Sequence, residues 1–135
     1  MSRPLDRLVK LIARLRAPGG CPWDRRQTHR SLIPYLKEEA AELAVALKKG
    51  EWHHIEDELG DVLLQVLLHA EIAREKGQFD IQDVARSQYL KLKRRHPHVF
   101  GSRKFKTAGE VLRNWDAVKS RERDLRSRDV RRRES

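Results

Sequence analysis

LKEEAAELAVALKKGEWHHIEDELGDVLLQV, residues 36–66, is the stretch that decides the fold. Its apolar residues recur at three- and four-residue intervals, the period of an amphipathic helix. Lys48-Lys49-Gly50-Glu51 interrupts the pattern. Two helices joined by so short a connection are expected as antiparallel neighbours. The first should run from about 32 to 48, with Ser31 as N-cap, Pro34 in the first turn and Gly50 closing it. The second should run from about 52 to 76 and stop at Gly77.

Each helix carries acids three apart, Glu39 with Glu42 and Glu58 with Asp61. Residues so spaced are surface neighbours, and like charges there repel. Take Leu36, Ala40, Leu43 and Leu47 as one apolar stripe and Ile55, Leu59, Val62 and Val66 as the other. At about 100° per residue, Glu39 and Glu42 then lie roughly 60° and 120° to one side of Leu36. Glu58 and Asp61 fall at the same offsets from Ile55, with the same hand. In an antiparallel pair, equal-handed offsets emerge on the same side. Glu42 and Glu58 are each eight residues from Gly50, and Glu39 and Asp61 each eleven. Four carboxylates should therefore meet on one rim. Oxygen-only ligation suits Mg2+, with Mn2+ possible, better than zinc. The plainer alternative is a solvated acidic edge; the match in offset, hand and height favours the metal. Glu38 points further round.

Outward from the hairpin, the apolar spacing stays helical and no alternating β-branched run appears. A first helix is expected over roughly 4–16, with Leu5, Leu8, Ile12 and Leu15 on one stripe, ended by Pro18-Gly19-Gly20-Cys21-Pro22. Another starts at the cap Asp80 and ends before Pro97. A last one opens on Thr107-Ala108-Gly109-Glu110, a capping-box pattern, and runs to about Arg123. Residues 97–106 read as loop. The expected class is all-α, a bundle of about five helices around the hairpin. The helix after Gly50 is apolar on nearly every side, adding Leu64, Leu67, Leu68 and Ile72 to its stripe. So small a chain has few helices to cover it, so a homo-oligomer, dimer or tetramer, is expected.

With 135 residues the chain is one ordinary domain. No stretch is apolar enough to cross a bilayer, and the N-terminus enters a charged amphipathic pattern without a signal-peptide core. Cys21 is the single cysteine, which fits a reducing cytoplasm. The net charge of +10 points to phosphorylated partners, and +4 of it lies from Lys119 onward. Residues 1–123 are thus expected as the domain and 124–135 as a basic, disordered tail. Nucleic-acid contact is expected, at most, as an accessory role of that tail. His53, His54 and His69 read as ordinary surface or interface residues, because no zinc-ligand partner set recurs around them.

Glu38-Glu39-x-x-Glu42 followed by Glu58-x-x-Asp61 resembles the signature of the all-α nucleotide pyrophosphohydrolases, which include MazG, the dimeric dUTPases and the phosphoribosyl-ATP pyrophosphohydrolases. Cys21-Pro22-Trp23-Asp24 with Gln27-Thr28, the run Arg94-Arg95-His96-Pro97-His98-Val99-Phe100-Gly101, and Trp115-x-x-x-Lys119 resemble the MazG type in a single-domain form. The resemblance covers about residues 5–123. It implies magnesium-dependent conversion of an NTP or dNTP to the monophosphate and pyrophosphate, a housecleaning activity of the nucleotide pool. It implies metal binding by Glu39, Glu42, Glu58 and Asp61. Lys91 and Arg95 are implied to meet the phosphates during catalysis, and Trp115 and Lys119 to lie near the nucleotide. Glu42 and Glu39 are the candidates for the general base. The competing reading is a catalytically weak nucleotide-binding or regulatory domain.

Overall fold

The computed structural model describes the backbone of residues 3–134 and the side chains of residues 3–127. Among them there are seven helices and no strand. The chain forms two compact units, Met1–Val84 and Ala85–Ser135.

The first unit begins with α1 (Pro4–Arg16), where Pro4 takes a position whose N–H has no helical acceptor. The turn after it needs Gly20, because a Cβ there would collide with the Leu15 carbonyl oxygen. A short α2 (Pro22–Arg26) follows. The periodicity argument missed it because five residues do not complete an apolar repeat. α3 (His29–Lys49) starts earlier than the sequence suggests. Its N-cap is Thr28, whose hydroxyl accepts from Ser31 N–H at 3.1 Å while Ser31 Oγ accepts from Thr28 N–H at 2.8 Å. Ser31 is thus the third residue of a capping box rather than the cap. Pro34 accordingly sits past the first turn and removes one helical hydrogen bond. Gly50 ends α3 at φ 75°, a left-handed conformation that glycine adopts without a Cβ penalty. α4 (Trp52–Glu75) starts from Glu51, whose carboxylate accepts from the N–H groups of His53 and His54.

Ile12, Leu32, Leu67, Leu68 and Ile72 form the core of this unit, flanked by Leu8, Val9, Leu64 and Ile81. Each such fully buried aliphatic side chain stabilises the fold by about 1.5–3 kcal/mol. That core corrects the choice of facing stripes. Leu32 and Ala46 are the fully buried residues of α3, while Leu36, Ala40 and Leu47 are exposed. On α4, Ile55, Gln65 and Ile72 are buried, but Leu59 and Val66 are exposed. Both helices are rotated by roughly 70° from the assumed position, toward their acids. The reason is α1: placing Leu32, Leu68 and Ile72 against Ile12 fixes the roll of the hairpin. Apolarity alone could not tell this face from its neighbour. The later half of α4 is covered within the chain. Leu59, Leu63 and Val66 are not.

Arg16 closes the unit, its side chain only 7 % exposed. It pairs with both Glu75 oxygens at 2.9 and 3.0 Å and donates to the carbonyls of Asp24 and Gln27.

The second unit contains most of α5 (Ile81–Arg95), the single-turn α6 (Pro97–Phe100) and α7 (Ala108–Glu134). α6 lies in the segment expected as loop; His96-Pro97 starts a turn too short to show periodicity. Asp80 and Asp83 cap α5 reciprocally, and Thr107 Oγ1 accepts from Glu110 N–H at the start of α7. α7 continues as helix past Arg123, where the apolar pattern fades. That stretch has neither Gly nor Pro to stop a helix.

A candidate metal centre

α3 brings Glu39 and Glu42, and α4 brings Glu58 and Asp61, so that one carboxylate oxygen from each lies within 4.8 Å of the others. The four do share a rim, by a route different from the one assumed. Because the hairpin is rolled, Glu39 and Glu58 turn toward the seam between the helices and Glu42 and Asp61 flank it. The Glu58 side chain is only 12 % exposed. Burial first, then the charges of Glu42, Asp61 and Glu58, hold the Glu39 carboxyl above its ordinary value. Burial followed by Glu42 and Asp61 raises Glu58, and His54 opposes the shift.

Glu39 Oε2 and Glu58 Oε2 are buried and have no hydrogen-bond partner among the described residues. A buried carboxylate oxygen without a donor or cation is costly. An oxygen donor set with two such orphans fits a hard divalent cation. His54, read from the sequence as an ordinary surface histidine, places Nε2 3.6 Å from Glu58 Oε1. Its i,i+4 spacing to Glu58 was the available signal. The orphaned Glu58 oxygen is therefore the one that His54 does not approach.

The same seam holds a pair that sequence reasoning missed. His29 Nδ1 and His69 Nδ1 are 2.7 Å apart, with nearly parallel rings. Burial, and then His29, lowers the proton affinity of His69. Their similar distances from Gly50 along the two helices could have suggested it.

The basic and aromatic candidates belong to the second unit. Arg95 donates from Nη2 to Glu122 Oε2 at 2.6 Å, and Arg94 binds the other oxygen through Nε and Nη2. These hydrogen bonds hold the Glu122 carboxyl down to about 2. Arg95 Nε is buried without a hydrogen-bond partner among the described residues. Trp115 donates from Nε1 to the Arg95 carbonyl at 2.8 Å and meets the His96 ring edge-on. The structure thus brings Arg95 and Trp115 together. Lys91 lines an open groove with Arg94 and Glu122. Lys119 is exposed on α7. Glu122 escaped the sequence reading entirely, because only the packing of α7 against α5 sets it opposite both arginines.

A helical hairpin that gathers four carboxylates, two with buried unpartnered oxygens, defines a class of all-α proteins able to hold a divalent cation. The chain belongs to the MazG family: the profile of the MazG nucleotide pyrophosphohydrolase domain matches residues 27–100, which include all four acids, Lys91 and Arg95. It is 49 % identical over 118 residues to the nucleoside triphosphate pyrophosphohydrolase/pyrophosphatase MazG of Thermotoga maritima, covering 87 % of this chain and 45 % of that one. It is 42 % identical over 120 residues to the nucleoside triphosphate pyrophosphohydrolase of Escherichia coli K12, covering 88 % and 46 %. The chain thus spans less than half the length of these two curated relatives. A crystal structure of a mazG-related protein from Thermotoga maritima superposes with a TM-score of 0.68 at 29 % identity, covering 85 % of this chain and 98 % of that one. No helix among the described residues is long and apolar enough to cross a membrane.

Proposed function

We propose that this chain hydrolyses nucleoside triphosphates, ribo or deoxy, to the monophosphate and pyrophosphate, as a housecleaning enzyme of the cytoplasmic nucleotide pool. The carrying observation is the four-carboxylate cluster with its two buried, unpartnered oxygens. The family and its curated relatives supply the reaction class.

Glu39, Glu42, Glu58 and Asp61 would hold magnesium, or manganese in its place. When bound, the cation supplies charge neutralisation of the triphosphate and orients the anhydride that is cut. One cluster acid not fully engaged as a ligand holds the attacking water and takes its proton. Glu42, the most exposed of the four, and Glu39 are the two proposed bases. Water adds its oxygen to one side of the cleaved P–O–P bridge, and the departing phosphate keeps the bridging oxygen. Lys91, Arg95 and Lys119 are proposed to stabilise the phosphates, and Trp115 to bind the nucleotide. Arg95 brings a guanidinium oriented by Glu122. Residues 1–123 are proposed as the catalytic domain, so truncation after Arg123 should leave turnover largely intact.

A homo-oligomer is part of the proposal. Leu47, Leu59 and Val66 are 54, 51 and 42 % exposed, an apolar surface that a second copy would cover. Light scattering at micromolar concentration should give at least twice the 15.9 kDa chain mass. A clean monomer would remove this part.

Incubation with a panel of NTPs and dNTPs and magnesium, with products separated by ion exchange, tests the reaction. Pyrophosphate and a monophosphate are expected from at least one substrate. Orthophosphate and a diphosphate would overturn the chemistry. The second reading is a nucleotide-binding or regulatory domain without turnover. Saturable nucleotide binding with no product would establish it.

A further inference from the structure

The cations of the second unit fall into two sets. Arg94 and Arg95 share the single carboxylate of Glu122. Elsewhere in the unit, the segment 103–105 and α7 enclose an open groove of about 500 Å³ lined by Arg103, Lys104, Phe105, Arg113, Asn114 and Arg121. The one carboxylate lining it, Glu110, already accepts from Lys106 N–H at 2.9 Å. Among the described residues no ion pair reaches Lys104, Arg113 or Arg121.

The lining has an order to it. Arg113, Ala117 and Arg121 follow one another at i, i+4 and i+8 on α7, so they form a row on one helix face. The two arginines are about 12 Å apart along the axis, with a small residue between them. The Arg103 guanidinium lies 5.7 Å above the Phe105 ring and donates to Asn114 Oδ1 at 3.3 Å. A planar cation held on an aromatic ring is a platform on which a base can stack. Two arginines so spaced are suited to backbone phosphates about two nucleotides apart, which guanidinium groups grip through paired donors. A concave groove of this size takes a nucleotide-sized segment of a flexible strand; a stiff duplex or a flat bilayer would rest on its rims.

We propose that this groove binds the sugar–phosphate backbone of single-stranded nucleic acid. Its lining shares no residue with the carboxylate cluster, and the proposal stands or falls independently of the hydrolytic activity.

The test is fluorescence anisotropy of an end-labelled, mixed-sequence 20-nucleotide single strand, titrated with the full chain without nucleotide or divalent cation, over a range of NaCl concentrations. The double variant Arg113→Gln/Arg121→Gln should bind at least 10-fold more weakly and lose about 1.4 from the slope of log K against log salt. A control of equal charge change, Lys48→Gln/Lys49→Gln, should lose less than 2-fold. Circular dichroism melts of both variants should match the wild type, since all four positions are exposed. Equal losses in the two double variants would mean attraction to net charge alone and would overturn the proposal. So would the absence of binding at low salt. Two further arms cover other sources of phosphate. Vesicles of 70 % phosphatidylcholine and 30 % phosphatidylserine should bind more weakly than the strand; tighter groove-dependent vesicle binding would assign the groove to a membrane surface and overturn it. Displacement of the strand by stoichiometric nucleoside triphosphate would assign the groove to the substrate and overturn it as well.

Discussion

Along the α3–α4 hairpin, four carboxylates each bring an oxygen within 4.8 Å of the others, and two of their oxygens are buried with no donor among the described residues. Where α5 meets α7, a single carboxylate, Glu122, takes hydrogen bonds from two arginines and is held down to about 2. Both regions concentrate charge between helices, yet one crowds like charges together and the other pairs its carboxylate on both oxygens. A buried charge that is paired belongs to the fold. A group of like charges kept together without a partner gives up stability, and the compensation has to come from a ligand. The shifts carry the same message in opposite directions, since Glu39 and Glu58 are raised while Glu122 is lowered.

The largest effect should come from removing one charge of the crowded set. Glu39→Gln or Glu58→Gln keeps the shape and should reduce pyrophosphate release on the order of 10²–10³-fold, the scale for losing one preorganised charge contact. The wild type should melt higher in magnesium than in EDTA, because a ligand selective for the native state stabilises it. Each variant should show a smaller magnesium shift, and in EDTA should melt at or above the wild type. Full activity with an undiminished shift would reduce the cluster to a solvated edge and erase the contrast.

The paired set should behave in the opposite way. Glu122→Gln should lower stability by about 1 kcal/mol, the upper end for a partly exposed pair, in urea melts at neutral pH. The Glu122 carboxyl is depressed in the folded state. Its contribution is therefore complete above the unfolded value of about 4.5, and it is lost as pH falls from there through about 2. The wild type should lose this increment on acidification, whereas Glu122→Gln should lack that part of the pH dependence. Parallel acid profiles would mean the arginines are held by something else.

A smaller change is expected at the histidine pair, which lies in the same seam as the acids but carries no charge when neutral. Between Nδ1 atoms 2.7 Å apart there is room for one proton only, so a second is disfavoured. His69 is lowered from 6.5 in the fold. Its contribution is thus present above about 6.5 and declines as pH falls below that value. Replacing His69 with Asn should flatten the stability profile between pH 7 and 5. Histidine resonances followed by NMR should show one of the pair titrating below the ordinary range. Two unperturbed titrations would show that the rings are not in contact in solution.

Much of this was readable along the chain. The helix periods, the Gly50 stop and the matched spacing of Glu39, Glu42, Glu58 and Asp61 are local or near-local facts. A hairpin with a short turn converts spacing into proximity with almost no other information. The roll of the two helices was not local. Leu36 and Leu32 are equally apolar, and only packing against Ile12 decided which was buried and which was left on the surface. α2 and α6 were too short to leave a period. The union of Glu122 with Arg94 and Arg95, 28 and 27 residues away, depends on the register of α7 against α5, for which the sequence between them holds no ruler. Sequence by itself determined which residues form the acid cluster, because one tight turn fixes their height and hand. Tertiary structure decided which carboxylate oxygens are buried and which cations are already paired, because the first depends on the roll that packing against α1 sets and the second on the register of α7 against α5.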